Sequence, residues 1–266
     1  MPHRVRDMGA ENAVAGMTGA ARMAAVQISG QTFVLVHGAW HGGWCWSRVA
    51  DRLRAAGHRV FCPTQTGLGE RRHLLSKDIT LDTFTTDIAN VLEAEELNDI
   101  VLVGHSFGGN AISGVADRMP ERIRHLVYLD SLVVEGGKAP FDNLAAEVVA
   151  ARRKAAEESS GGVSLPNPPP SVFGVLDSAD AEWVRRRLTP HPISTYTSKL
   201  NLKGPVGNHL PRTYVHCTNP SYAALQASRD WVRAQQGWRW AEIATGHDAM
   251  VTAPDELARL LIDVSN

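Results

Sequence analysis

The chain has 266 residues and sets 27 Lys and Arg against 28 Asp and Glu, a formal net charge of −1. That length holds one sizeable core with an inserted subdomain, and the charge gives no sign of a nucleic-acid partner or a strongly acidic substrate. Three cysteines, Cys45, Cys62 and Cys217, make an odd number with no C-x-x-C pair, which argues against a disulfide framework or a zinc site and favours a reducing compartment.

Residues 1–30 open with MPHRVR, which imitates the basic start of a secretion signal. Asp7, Glu11 and Arg22 then interrupt the chain, so no continuous apolar segment forms and the stretch reads as a flexible leader. No apolar run nears the roughly 20 residues that a membrane span needs; no membrane partner is expected, and the expected location is cytoplasmic. Thr32-Phe33-Val34-Leu35-Val36 is a short apolar run and predicts a strand buried on both faces. Ser47 to Ala56 sets Val49, Leu53 and Ala56 on one helical face, and Gly57 ends it. Next come a strand over Arg59–Cys62, a helix over Leu81–Leu97, a strand over Asp99–Val103, a helix over Asn110–Met119 and a strand over His125–Leu129. This alternation predicts an α/β fold, a mostly parallel sheet flanked by helices.

The rhythm breaks after Asp130. Residues 133–210 read as helical and irregular, with an Ala/Glu/Arg-rich stretch from Leu144 to Glu158. Pro166, Pro168, Pro169 and Pro170 can continue neither a helix nor a central strand. The rhythm returns with a strand over Arg212–Cys217, a helix, a strand over Trp238–Ile243 and a last helix from Pro254 to about Val264. The expected organisation is a core of residues 31–132 and 211–266, with residues 133–210 as a helical cap. Such a cap covers the C-terminal sheet edge, where parallel sheets bind ligands.

Gly104-His105-Ser106-Phe107-Gly108 has the form G-x-S-x-G between a strand and a helix. A sharp strand-to-helix turn exposes a serine hydroxyl at the sheet edge, and flanking glycines relieve its crowding. Ser106 is therefore the expected nucleophile. Oxyanion donors in such a site are the amide after the nucleophile, here Phe107, and one in an early strand–helix loop; Ala39 in His37-Gly38-Ala39-Trp40 is the candidate. Among eleven histidines, His247 in Thr245-Gly246-His247-Asp248 comes after the last strand, in the chain order serine, acid, histidine, and is the expected base. Asp130, ending HLVYLD, is the favoured acid. The loop after Cys217 holds no carboxylate before Asp230, and Asp248 adjoins the histidine too closely to reach its far nitrogen. Trp40, Phe107, Phe173 and Trp183 are candidate pocket walls, or else core of the cap. The chemistry requires no metal or organic cofactor.

FVLVHGAWHGGWCW, GHSFGGNA and GHDAM resemble the α/β-hydrolase superfamily. Within it the likeness is to plant methylesterases, hydroxynitrile lyases and small bacterial esterase relatives, over roughly Phe33 to the C-terminus. The resemblance implies Ser106 and His247 as catalytic residues, with Ala39 and Phe107 amides as oxyanion donors. Plant members carry an aspartate in the loop after the penultimate strand, where this chain has Asn219-Pro220-Ser221. YLDSLVVEGG resembles instead the bacterial relatives, in which the aspartate after the earlier strand serves. The expected function is hydrolysis of a small carboxylic ester through an acyl-enzyme. Amide, lactone or carbon–carbon hydrolysis, a hydroxynitrile lyase and a non-catalytic receptor are the alternatives. Cyanohydrin lyases of plants use an early-loop threonine and a lysine near the histidine, where this chain has Gly38-Ala39 and Gly246-His247-Asp248-Ala249-Met250. The expected partner is a small-molecule substrate, with a homodimer left open.

Overall fold

A computed structural model of the protein describes residues 30–265. The leader expected over residues 1–30 lies, apart from Gly30, outside the described residues. From Gly30 the chain runs β1 (Thr32–Val36), α1 (Ser47–Ala55), β2 (Arg59–Phe61), α2 (Leu81–Ala94), β3 (Ile100–His105), α3 (Gly108–Arg118) and β4 (Ile123–Leu129). An insertion comes next, comprising α4 (Ala146–Ser160), β5 (Ser164–Leu165), α5 (Ser178–Arg185), β6 (His191–Pro192) and α6 (Ser194–Thr197). The chain closes with β7 (Arg212–Cys217), α7 (Gln226–Ala234), β8 (Arg239–Ile243), α8 (Ala249–Thr252) and α9 (Pro254–Val264).

Six strands form one sheet in the order β2-β1-β3-β4-β7-β8, with every pair parallel. Burial tracks that order. Every residue of β3 is buried, and β4 exposes only Arg124, whereas the edge strands β2 and β8 bury one residue each. A central parallel strand has helices on both faces, so it reads as a nearly continuous apolar run. Removing each Val, Leu or Ile of β1, β3 and β4 from water contributes roughly 1.5–3 kcal/mol.

Local chemistry sets the helix ends. Thr80 and Thr83 form a reciprocal cap at the start of α2, each side-chain oxygen accepting from the other's amide at 3.3 and 3.1 Å. The apolar period runs on to Leu97, which is buried, yet the helix stops at Ala94. Glu96 turns left-handed at φ 50°, and the amides of Leu97 and Glu96 donate back to Leu92 and Glu93 carbonyls at 2.9 and 3.1 Å. This closure buries Leu97 against the end of its own helix. Likewise Ala56 is exposed just past α1, whose buried face is Val49, Ala50 and Leu53.

The insertion mixes short helices with irregular chain and holds one feature absent from the sequence-based expectation, the antiparallel ribbon β5–β6. Two residues per strand leave no period-2 pattern to read. α4 buries only Ala156, so it lies on the surface of the molecule. Thr189 amide donates to the Trp40 carbonyl at 2.9 Å, and the Trp40 indole to the Leu165 carbonyl at 3.3 Å, tying the insertion to the loop after β1. Among the described residues no helix is long and apolar enough to cross a membrane, and Cys45, Cys62 and Cys217 are free thiols.

Candidate active site

Because all six strands are parallel, their C-terminal ends line one edge of the sheet. β1 and β3 are neighbours, with β2 on the far side of β1, so the chain reverses its direction of travel across the sheet between them. Ligand crevices in open α/β sheets form at such a point. Ala39 lies just after β1, Ser106 after β3, Asp130 after β4 and His247 after β8.

Ser106 sits at φ 52°, a left-handed conformation costly for a residue with a Cβ. Three backbone bonds hold it there: its amide donates to Leu129 at 3.0 Å, and its carbonyl accepts from Gly109 and Leu132 at 3.2 and 3.0 Å. Crowding explains two of the surrounding glycines. A Cβ on Gly108 would meet the His37 carbonyl oxygen at 2.6 Å, and one on Gly38 would meet Ser106 Cβ at 2.7 Å. The elbow is therefore sterically coupled to the loop after β1.

The Ser106 hydroxyl lies 2.9 Å from His247 Nε2, to which it can donate, and His247 Nδ1–H donates to Asp130 Oδ2 at 2.7 Å. The histidine is 1% exposed and the aspartate fully buried. The aspartate, itself at φ 38°, is pinned by its amide bond to the Val215 carbonyl at 2.7 Å. A buried carboxylate needs compensating charge, and a second partner supplies it: Arg229 Nη1 lies 3.5 Å from Asp130 Oδ1, both side chains being buried. Both terminal nitrogens of Arg229 donate to the Tyr222 carbonyl at 3.1 Å. Sequence reasoning missed Arg229. Its signal is present: Ser228, Arg229 and Val232 form the buried stripe of α7, and an arginine in such a stripe calls for a buried acid. The rival Asp230 points outward, accepting from Gln226 Nε2 at 2.7 Å.

Three further histidines lie behind this chain of bonds. His37 is wholly buried and neutral, its pKa lowered to about 3 chiefly by burial. Its Nδ1–H donates to the Gly38 carbonyl at 2.8 Å, and its Nε2 accepts from the Gln65 amide at 3.0 Å. His105 points back from the elbow and bonds through Nε2 to the His247 carbonyl at 3.0 Å. Burial first, then the neighbouring His247 and His41, hold its pKa well below the usual value. His41 Nε2 donates to Asp248 Oδ2 at 3.0 Å in full burial. Burial works against the His41 cation, but the Asp248 charge and hydrogen bond and the Ala39 carbonyl outweigh it, so its pKa is raised. The pair fastens the loop after β1 to the loop that carries His247.

The amides of Ala39 and Phe107 enter no hydrogen bond among the described residues. Donors left free beside a serine can receive a developing negative charge. Ser106 opens into a narrow cleft lined by Trp40, Phe107, Phe173, Tyr196 and Tyr222, with Arg152 of α4 also in its lining. Trp40 and Phe173, expected as wall residues, face the cleft and meet at 5.9 Å between ring centroids. Trp183 does not line it. Its indole lies edge-on to Trp44 at 5.1 Å, with the guanidinium groups of Arg48 and Arg187 at 5.0 and 4.6 Å from its centroid. Those cation–π contacts hold Trp183 among side chains outside the cleft wall.

A family model described as "Alpha/beta hydrolase family" matches residues 33–260. The chain is 41% identical over 237 residues to a carbendazim hydrolyzing esterase of Nocardioides sp. (strain SG-4G), covering 86% of this chain and 97% of that protein. It is 26% identical to methylesterase 9 of Arabidopsis thaliana, covering 88% and 98% of the two chains. An extracellular alpha/beta-hydrolase from a Paenibacillus species superposes with a TM-score of 0.75 at 25% identity, over 88% of this chain and 98% of its own. The parallel sheet and the matched sequence agree, and the chain belongs to the alpha/beta hydrolase family.

Proposed function

We propose that the protein is a serine esterase that cleaves small carboxylic esters through an acyl-enzyme. The observation that carries this reading is the continuous chain of hydrogen bonds from Ser106 through His247 to Asp130, opening on a cleft beside two free amides. The esterase relative, 41% identical over most of the chain, supports the same reaction class.

In this reading Ser106 Oγ attacks the ester carbonyl carbon while His247 Nε2 takes the hydroxyl proton. Ala39 and Phe107 amides bind the oxyanion, each donor contributing about 3 kcal/mol. Asp130 orients the imidazole and stabilises its cation. Collapse breaks the carbon–oxygen bond to the alcohol, which leaves with the proton from His247. Water then attacks the acyl carbon, giving its proton to Nε2, and the second collapse frees the carboxylic acid and restores Ser106. Residues 133–210 serve as the cap, supplying Phe173 and Tyr196 to the cleft. The three free thiols fit work in a reducing, cytoplasmic setting.

The test is a burst assay with 4-nitrophenyl acetate on wild type and Ser106→Ala, with mass spectrometry of the intact protein. An acetyl adduct on Ser106 and turnover abolished in Ser106→Ala are expected. Undiminished turnover in Ser106→Ala would overturn the assignment.

A further inference from the structure

One side chain at the cleft is unexplained by ester hydrolysis alone. Among the described residues Arg152 is the sole charged residue lining it, and no Asp or Glu does so. Among the described residues no carboxylate lies within ion-pairing distance of Arg152, whereas Arg48 has Asp180 at 2.6 Å, Arg185 has Glu182 at 2.8 Å and Arg229 has Asp130 at 3.5 Å. Its own helix offers none either: the residues one turn away are Val148, Val149, Ala155 and Ala156. A half-buried cation among aromatic walls is costly to leave unpaired.

The guanidinium is nevertheless held in place. It lies 5.0 Å from the ring centroid of Tyr196, which is buried and packs in turn on Phe107, the two rings tilted by 45° with centroids 4.6 Å apart. Phe107 is the residue after Ser106, so these contacts relate Arg152 to the reacting centre through two rigid rings. The Tyr196 side chain also hydrogen-bonds this guanidinium, which carries five N–H donors, so donors remain beyond that one contact. Those donors match a carboxylate in a bidentate fork, and apolar walls strengthen the pairing by excluding water.

We propose that Arg152 is a specificity residue that selects esters carrying a second, anionic oxygen group, a carboxylate set apart from the scissile bond. The inference rests on the esterase reading and adds to it the class of substrate. The carboxylate can stand on either side of the ester, so both are tested. 4-Nitrophenyl hemiglutarate is compared with 4-nitrophenyl pentanoate for the acyl side, and 4-carboxyphenyl acetate with 4-acetylphenyl acetate for the alcohol side. The readout is the ratio of kcat/KM for the anionic ester to that for its neutral counterpart, on one protein preparation, so intrinsic reactivity and active fraction cancel between variants.

Arg152→Gln is expected to lower that ratio about 10- to 100-fold in one of the two pairs, mainly through KM, the range for losing a hydrogen bond to a charged group. Arg152→Lys retains part of the ratio, as a point charge without the fork. Arg153→Gln, on the neighbouring exposed position, leaves the ratio at the wild-type value. A ratio within about 2-fold of wild type in both pairs for Arg152→Gln overturns the Arg152 assignment while hydrolysis of the neutral esters leaves the esterase reading standing. Absence of hydrolysis and of any acyl adduct in wild type overturns both.

Discussion

Replacing Asp130 by Asn separates two roles of that carboxylate. In the proposed reaction His247 becomes a cation as it takes the Ser106 proton, with Asp130 Oδ2 2.7 Å from its Nδ1. With charge centres about 4 Å apart and an effective dielectric of 20, the attraction is about 4 kcal/mol, which is roughly a thousandfold in rate. The amide of Asn also favours the imidazole tautomer with its proton on Nε2, which cannot accept from Ser106, and the combined loss in kcat is about 10⁴-fold. Stability falls as well, because Arg229, with a side chain 3% exposed, loses the charge it faces at 3.5 Å. Stranding a buried cation costs about 3 kcal/mol. The double variant Asp130→Asn with Arg229→Met removes that stranded charge, so it recovers stability without recovering turnover. The assay is steady-state release of nitrophenolate from 4-nitrophenyl acetate, paired with urea unfolding of each variant. If Asp130→Asn keeps kcat within about 10-fold of wild type, the reasoning from this geometry is refuted.

Two other perturbations bear on the geometry around Ser106. Gly38→Ala places a Cβ 2.7 Å from Ser106 Cβ and 3.0 Å from His105 Nδ1, so kcat should fall about 100-fold or more with the far-ultraviolet dichroism unchanged; retention of a third of wild-type kcat contradicts the crowding argument. His41 has a pKa raised above its usual 6.5 by Asp248 against the opposing effect of burial. Its contribution to stability is therefore full below pH 6.5 and is lost as pH rises through the folded-state value. The stability gap between wild type and His41→Gln, read by urea unfolding at several pH values, should narrow from pH 5.5 to pH 9, and a gap that widens refutes the pairing.

The elements legible in the sequence are those whose physics is local. β1, β3 and β4 are mainly apolar runs because a strand covered on both faces has few positions for water, and each of them, like the more polar β7, appears within a residue or two of its expected place. Ser106 was legible for a related reason, since a strand, a tight turn and a helix within a dozen residues dictate which side chain stands exposed. Helix ends were less so: Leu97 reads as helix because burial repeats at helical spacing, and only the reversal at Glu96 shows that the chain has already turned.

What tertiary structure alone decided is which distant side chains meet. Asp130 and His247 are 117 residues apart and touch because β4, β7 and β8 are consecutive strands of one parallel sheet. Arg229 beneath Asp130, His41 against Asp248, and Trp183 held between two arginines away from the cleft depend on that packing. A net charge of −1 likewise conceals that Arg152, a cation facing no carboxylate among the described residues, stands at the cleft. Periodicity and turn chemistry act over a few residues, while strand order and register set every one of these longer meetings, so the amino-acid sequence pointed to the serine at the turn after β3 and left its surroundings to the fold.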